Sequence, residues 1–441
     1  MSKTFRPWEV DQAWLLPPSV QELVPKDDPA HLVRDVVRSE LDLSAILETY
    51  DEERGYPPYH PTMMTALLLY AYTQGVYSSR RIARSCQHRV DFMAITAMQT
   101  PDFRTINNFR KRHLAALGGL FTQVLRLCAR AGLVQLGHVA LDGTKVQANA
   151  SKHKAMSYDR MNKAEKDLAA TVAEWFAKAE AADADEDAEF GEDRRGDEMP
   201  AWVADKLKRL EKIRGAKAEL EAEAKKQLQA EEDKPPGPPR HPRGGKKRPK
   251  KDGTPHDKAQ LNFTDPDSRI MKGPTGYIQA YNCQAAVDAD HQVIVAHSVG
   301  NQQNDWNQLI PMVTQIRENL GRQTAELSAD SGYLSEENLT ALDRRRIRGY
   351  VATGRLKHTE TGKPRRKLLG KRSTAMRLKL DRAGYRSRYR LRKQVVEPVF
   401  GQIKEARGFR QFKLRGLAKV PHEWALVCTA HNLLKLTRRA A

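Results

Sequence analysis

Strand-like and helix-like segments alternate along residues 277–352, and this alternation is the feature that most limits the possible folds. The first two segments are short and rich in apolar and β-branched residues, which predicts a pair of β-strands joined by the turn at 288–291. The later segments switch between the helical period and short apolar runs, so a mixed α/β core is expected. The predicted elements are strands at 277–288 and 291–299, a helix at 305–320, a strand at 325–329, a helix at 336–345 and a strand at 348–352.

One further strand is predicted upstream, where residues 138–142 form an apolar run that ends in Asp142 and is followed by a glycine turn. Residues 144–151 are short and polar enough to continue as a strand or as a loop. With this strand first, the order is strand, hairpin, helix, strand and helix on one sheet, which is the order of the ribonuclease H-like fold. In that layout the ends of the first and fourth strands lie side by side. Asp142 and Asp330, which follows the strand at 325–329, are therefore expected to converge.

Two other regions differ in composition from this core. Residues 1–135 show helical periodicity without strand-like alternation, which predicts an all-α domain. Residues 155–260 look inserted, because charged helices are predicted at 158–182 and 201–232, and together they favour a helical hairpin.

Two strongly charged stretches flank the second inserted helix. Residues 183–193 contain seven acids and residues 240–251 contain seven Lys or Arg, and neither composition builds a core, so both are predicted to be flexible loops. The basic stretch binds nucleic acid or is a solvated linker. The predicted fold class is α+β or α/β: an all-α N-terminal domain, then a ribonuclease H-like mixed-sheet domain interrupted by a helical insertion. The predicted boundaries are 1–135, 136–154 with 261–441, and 155–260.

The charge balance indicates a polyanionic partner. The chain has 75 Lys and Arg against 55 Asp and Glu, a formal charge of +20, and nucleic acid fits this excess better than a membrane surface. The longest apolar run, at 63–72, is too short to span a bilayer, and the N-terminus has no secretory signal, so a cytoplasmic protein is expected. The four cysteines are far apart, which argues against a zinc ribbon or a disulfide framework.

Basic residues on two N-terminal helices are candidates for DNA contacts. The first helix is predicted to start at Ser78 or Ser79 and the second near Thr105. Arginine, lysine and asparagine are the residue types that contact phosphates and base edges, although an ordinary solvated bundle is the alternative. The candidates are Arg80, Arg81, Arg110 and Lys111.

A second basic region occupies residues 355–393, with sixteen Lys or Arg and only Glu360 and Asp381 as acids. Such a run repels itself unless it meets phosphates, so it is predicted to lie along DNA, with a solvated loop as the alternative.

The segment 396–404 places Glu397 and Lys404 seven residues apart, close to two helical turns. If the segment is helical throughout, both charges project from one face, and an apolar stripe docks the other face onto a core. Pro398 lacks an amide hydrogen, so the helix is expected to kink or begin there. Taken alone, the pair is typical of a solvated surface. The stripe consists of Val396, Val399, Phe400 and Ile403.

The order and spacing of several short motifs resemble a known family. Individually each motif is weak, but together they cover most of the chain outside the insertion. They lie at 14–18, 59–61, 70–72, 78–80, 101–106, 109–110, 141–151, 264–271, 281–284, 329–333 and 392–404. The chain resembles the bacterial DDE insertion-sequence transposases, specifically the insertion sequence 1182 group.

The resemblance implies a site and a reaction. The catalytic and metal-binding triad falls on Asp142, Asp330 and Glu397. Lys404, Arg392 and Tyr389 are expected to bind DNA; they fall near a signature of larger transposase groups, although Tyr389 and Arg392 stand one residue further upstream than that signature asks. The implied activity is cleavage at the ends of an insertion sequence and joining of the 3′-hydroxyl ends to target DNA. The implied partners are double-stranded DNA, as terminal inverted repeats and target, and further copies of the chain in a working homo-oligomer.

Phosphodiester transfer explains the need for three acids. Two Mg²⁺ ions held roughly 3.5 to 4 Å apart activate the attacking oxygen and stabilise the leaving oxygen, and carboxylates are their natural ligands. Mn²⁺ is expected to substitute. A nuclease without strand transfer and a non-catalytic DNA-binding descendant are the alternatives. The competing acids are Asp265 and Asp267, interpreted as turn formers, Asp288, interpreted as a hairpin acid, and Asp305.

Overall fold

A computed structural model of the chain describes residues 19–50, 57–190, 201–232, 249–250, 252–273, 276–354 and 370–440. Several predictions fall outside these residues. They concern the motif at 14–18, the end of the acidic stretch at 191–193, the basic stretch at 240–248 and the basic run at 355–369.

The N-terminal region is helical, as predicted. Carboxylates cap two of the helices: Asp28 accepts a hydrogen bond from the amide of Ala30 at 2.8 Å, and Asp102 accepts one from the amide of Thr105 at 3.1 Å. Because of the second cap, the helix predicted to open near Thr105 begins at Phe103. The helices are α1 (Pro29–Ser39), α2 (Ser44–Leu47), α3 (Pro61–Thr73), α4 (Ser79–His88), α5 (Val90–Thr96), α6 (Phe103–Arg112) and α7 (Leu114–Arg130).

A mixed sheet forms the centre of the molecule. Its strand order is β4-β5-β1-β7-β8, and β6 pairs with β5. The pairs β1–β7 and β7–β8 are parallel, and β5 runs antiparallel to β1, β4 and β6. This order is consistent with a ribonuclease H-like domain. The strands are β1 (His138–Gln147), β4 (Arg269–Gly273), β5 (Gly276–Asp288), β6 (Ile294–Gly300), β7 (Glu326–Ala329) and β8 (Arg348–Val351); a small separate sheet contains β2 (Ala155–Ser157) and β3 (Gln260–Asn262).

The first strand is longer than predicted. It does not end at Asp142 but continues to Gln147, because β5 is long enough to pair with it up to the contact between Gln147 and Ala280. The sequence Asp-Gly looks like a strand end locally. Pairing with β5 overrides this local signal and places Asp142 in the middle of the strand.

Helices cover the sheet, and two more form the insertion. In the insertion α8 (Tyr158–Phe190) and α9 (Ala201–Glu232) pack against each other around Met161 and Ile213. Residues 183–190, predicted to belong to a flexible loop, instead form the end of α8. Among the described residues, no helix is long and apolar enough to cross a bilayer. The helices beside the sheet are α10 (Leu309–Leu320), α11 (Glu336–Arg344), α12 (Lys371–Ala383), α13 (Leu391–Gly401) and α14 (Val420–Ala440).

One apolar core joins the N-terminal helices to the sheet. The C-terminal helix α14 packs against α3, α7 and β6 at once. Its Trp424 is fully buried and donates a hydrogen bond from Nε1 to the carbonyl of Gln284 in β5 at 3.2 Å. The N-terminal helices therefore have a fixed position relative to the sheet.

A glycine at the end of α3 tests this junction. Gly75 has φ +70°, and a Cβ there would lie 2.6 Å from the carbonyl oxygen of Arg407. Gly321 has the same φ with nothing within 4 Å, so it is a matched control. We expect Gly321→Ala to lower the free energy of unfolding by about 1–2 kcal/mol through the left-handed backbone alone. Gly75→Ala should lower the free energy of unfolding by about 1–3 kcal/mol more than Gly321→Ala, because the new Cβ would force the Arg407 backbone to shift. Equal losses in urea unfolding would contradict the close contact.

Candidate active site

Parallel pairing of β1 with β7 brings Asp142 and Asp330 together. Leu141 and Ala329 are the last residues that pair between β1 and β7, and each acid directly follows one of them. Asp142 Oδ1 accepts a hydrogen bond from the amide of Gly143 at 2.9 Å, and Asp330 Oδ1 accepts one from the amide of Gly332 at 2.7 Å. Each carboxylate thus has one oxygen oriented by the backbone.

Helix α13 adds Glu397 and a cation to this pair. Arg392 Nη1 donates to Asp142 Oδ2, and Arg392 Nη2 donates to Glu397 Oε1 at 3.1 Å. The Arg392 side chain is only 12% exposed, whereas that of Glu397 is 48% exposed. The ring of Tyr389 lies beside the guanidinium, 5.9 Å from Cζ. One guanidinium therefore connects the first and third acids of the expected triad.

Helix α13 runs through Pro398 and begins seven residues before it, at Leu391. Proline leaves the carbonyl of Gln394 without its helical partner, and Gln292 Nε2 donates to that carbonyl at 3.1 Å. Gln292 lies in the β5–β6 turn with φ 58°. Of the two expected outcomes at Pro398, a kink or a helix start, the helix start is excluded, and a side chain distant in sequence satisfies the freed carbonyl.

The rest of α13 is held by its apolar face and by an acid on β7. Val396, Val399, Phe400 and Ile403 are buried, as the predicted stripe requires. Upstream of the helix, Arg388 Nη1 donates to Glu326 Oε2 at 2.9 Å, and Glu326 also accepts from His138 and Arg348. Both ends of α13 are therefore fixed to the sheet.

Lys404 follows α13 in a π-helical turn at Gln402–Ala406. Its Nζ donates to the carbonyl of Lys145 in β1 at 2.8 Å, and burial lowers the pKa of the ammonium. The contact holds the lysine against the strand that carries Asp142.

A fourth acid, Asp305, lies in the same cluster. Burial raises the pKa of Asp142 to about 6; the Arg392 guanidinium opposes this rise, and the Asp330 and Asp305 carboxylates add to it. Burial also raises the pKa of Asp330, with Asp305 adding to the effect. Asp305 was only one of several competing acids in the sequence, and no local pattern marks it out, because it follows a polar loop before α10.

The other competing acids lie elsewhere and bond to backbone amides. Asp267 Oδ2 accepts from the amide of Leu417 at 2.7 Å, and Asp265 Oδ1 accepts from the amide of Gly416 at 3.2 Å and from the Tyr281 hydroxyl at 2.7 Å. Asp288 Oδ2 accepts from the amide of Leu136 at 2.7 Å. These three acids hold chain segments in place.

Three of the four N-terminal basic candidates are exposed. Arg80, Arg81 and Lys111 lie on the outer faces of α4 and α6. Arg110 is 4% exposed, and its guanidinium donates to the carbonyl of Tyr77 at 3.0 Å and to Ser79 Oγ at 3.3 Å. A direct DNA contact by Arg110 is therefore corrected to a structural role, because its donors already join α4 to α6.

The acid cluster suits a hard divalent cation. Carboxylate oxygens are the ligands that Mg²⁺ and Mn²⁺ prefer. In the described part of the chain, no three acid, His or Cys side chains converge as a ready-made metal site. Arg392 already balances the charge of Asp142, and its buried Nε has no hydrogen-bond partner. A divalent ion that binds Asp142 Oδ2 would have to displace this guanidinium.

Two family models match the chain. Residues 18–112 match a transposase domain (DUF772), and residues 353–437 match a transposase DDE domain. No curated protein and no solved structure matched. The second match contains Arg392, Glu397 and Lys404, whereas Asp142 and Asp330 lie outside both.

These matches identify the chain as a transposase with a DUF772 N-terminal domain and a DDE domain. The DDE domain implies a polynucleotidyl transferase, and DDE transposases act on DNA and use divalent metal. Asp142, Asp330 and Glu397 would hold that metal here.

Arg392 should compete with a metal ion for Asp142. We expect Arg392→Gln to bind Mn²⁺ about tenfold more tightly, because the variant no longer has a positive charge that repels the ion. At an effective dielectric near 20, two charges a few Å apart repel by several kcal/mol, and we expect solvent and salt to screen most of this repulsion. The metal-free variant should melt at a lower temperature, because Asp142 loses its counter-ion. Calorimetric Mn²⁺ titration measures the affinity.

The control for this prediction is Lys393→Gln, which removes an exposed charge from the same helix. Its Mn²⁺ affinity should stay near that of the unchanged chain. Equal affinities for both variants would show that Arg392 does not occupy the metal position.

Proposed function

We propose that this DDE transposase belongs to the insertion sequence 1182 group, cleaves DNA at the ends of its element and joins the 3′-hydroxyl ends to target DNA. The main support is the meeting of Asp142 and Asp330 at two adjacent parallel strands, with Arg392 linking Asp142 to Glu397. The catalytic domain is proposed to comprise 136–154 and 261–441 with a ribonuclease H-like fold. Residues 155–260 are the insertion.

Each residue of the site has a proposed task. Asp142, Asp330 and Glu397 would hold two Mg²⁺ ions, and such ions would activate the attacking oxygen and stabilise the leaving oxygen. Gly143 and Gly332 orient one oxygen of each Asp through their amides. Lys404, which donates to the Lys145 carbonyl on the strand that carries Asp142, positions a DNA phosphate.

End recognition is assigned to the outer faces of α4 and α6. The Phe103 ring is exposed and lies under two guanidiniums, at 5.1 Å from Arg80 Cζ and 5.7 Å from Arg104 Cζ. These contacts hold both arginines in place before DNA arrives, which reduces the entropy lost on binding. Buried Arg110 keeps the two helices in register.

A reaction on supercoiled DNA that carries the element's inverted repeats tests the proposal. A transposase yields joined products in Mg²⁺, a nuclease yields only cut DNA, and a DNA-binding descendant yields only complexes. The proposal also expects more than one copy of the chain in the active complex, which mass photometry of the DNA complex measures.

The triad should act as a unit. We expect Asp142→Asn, Asp330→Asn and Glu397→Gln each to reduce cleavage and joining at least about 100-fold, nearly as much as the triple variant, because cooperating groups are non-additive. Binding to the repeats, measured by gel shift, should be retained. Asp288→Asn is the control. Near-native joining by a triad variant in Mg²⁺ would place the site on other carboxylates.

The basic surface should contribute salt-dependent affinity. Arg81→Gln and Lys111→Gln should each weaken binding to the repeats. Each should also reduce the slope of log affinity against log salt concentration by about 0.9, because binding with one phosphate contact fewer releases fewer counterions. Lys208→Gln, on the exposed side of α9, should leave the slope unchanged. An unchanged slope in all three variants would remove α4 and α6 from the DNA interface.

A further inference from the structure

Asp305, in the loop between β6 and α10, turns one carboxylate oxygen towards the candidate site. A Cβ on Gly332 would lie 3.2 Å from Asp305 Oδ2 and 2.9 Å from Asp330 Oδ1. The two carboxylates therefore approach the same point. Because Gly332 has no side chain, both can lie there.

The other oxygen of Asp305 is held firmly by the sheet. Oδ1 accepts hydrogen bonds from Asn282 Nδ2 at 2.6 Å and from Gln284 Nε2 at 2.8 Å, and Lys145 Nζ lies 3.6 Å away. Gln284 is itself fixed, since its side-chain oxygen accepts from the buried Tyr333 hydroxyl. A carboxylate with one oxygen fixed and the other directed at a cluster has the arrangement that outer-shell partners give to a metal ligand.

A second glycine makes the same approach possible from β1. A Cβ on Gly143 would lie 2.8 Å from Asp305 Oδ1 and 2.6 Å from Gln284 Nε2. Glycines near both Asp142 and Asp330 thus leave space for Asp305. Anchoring of the loop accounts for the contacts of Oδ1 but not for the direction of Oδ2.

We propose that Asp305 is a fourth carboxylate ligand of the divalent-cation site, binding on the side of Asp330. This inference rests on the proposed function, since the cation is the one that Asp142, Asp330 and Glu397 would hold. Glu397, which is more exposed and lies across Arg392, then has the outer position.

Mn²⁺ binding to the full chain without DNA tests this assignment. Electron paramagnetic resonance of free Mn²⁺ gives the affinity of Asp305→Asn, Asp330→Asn and Asp142→Asn. Asparagine keeps the size of Asp305 and one acceptor oxygen for Asn282 and Gln284, and urea unfolding in EDTA checks the fold. We expect at least a tenfold loss of affinity for all three variants. The exposed hairpin acid Asp290, replaced by Asn, should change nothing.

A cysteine variant distinguishes a direct ligand from a residue that only positions its neighbours. Asp305→Cys should show a thiolate-to-Cd²⁺ ultraviolet band on Cd²⁺ addition, because a thiolate in the ligand position selects a soft ion. Asp290→Cys should show none, and the four native cysteines are buried. Absence of the band in Asp305→Cys overturns the assignment.

The remaining outcomes separate this inference from the proposed function. If Asp142→Asn and Asp330→Asn weaken Mn²⁺ binding while Asp305→Asn binds normally, only the role of Asp305 is wrong. If none of the three affects Mn²⁺, the metal site of the proposed function fails with it.

Discussion

The candidate site depends on neutralising carboxylates that the fold groups away from water. Asp142 is 16% exposed, and Asp330 and Asp305 both disfavour its ionisation. Neighbouring carboxylates stay ionised more readily when a cation lies nearby, and the Arg392 guanidinium is the cation beside Asp142. Its position depends on α13, which is fixed by Gln292 at the carbonyl freed by Pro398 and by Glu326 upstream. The hairpin turn, β7 and the C-terminal segment therefore all contribute to the position of one guanidinium.

Pairing of two short strands explains how a long insertion fits inside the catalytic region. Where the chain leaves and re-enters, β2 pairs with β3 from Ala155–Asn262 to Ser157–Gln260. The two ends of the insertion are thus adjacent, and α8 and α9 extend from them around their own apolar contacts. The central sheet is not interrupted, so Asp142 on β1 and Tyr281 on β5 keep their places in one sheet although more than a hundred residues separate them.

The N-terminal helices are connected to the site through the core. Helix α14 packs on α3 and α7 on one side and on β6 on the other, and Trp424 bonds to the strand that carries Gln284. Gln284 in turn holds Asp305. Packing and hydrogen bonds therefore connect the N-terminal helices α3 and α7 to the strand that orients Asp305.

The sequence by itself determined the helical N-terminal region, the alternation of strands and helices, the apolar stripe of α13 and the order of strands that makes Asp142 and Asp330 neighbours. The elements and the apolar stripe follow from local periodicity, and the neighbouring acids follow from the strand order of the ribonuclease H-like fold. The predicted end of β1 and the predicted exposure of Arg110 were wrong, because pairing with β5 and contacts to Tyr77 override the local signals. The sequence left open whether α13 kinks or begins at Pro398, because the hydrogen bond from Gln292 to the Gln394 carbonyl is a tertiary contact. The place of Asp305 and the ion pairs of Arg392 were decided only by the tertiary structure, since they are contacts between side chains far apart in the chain, which no local pattern records.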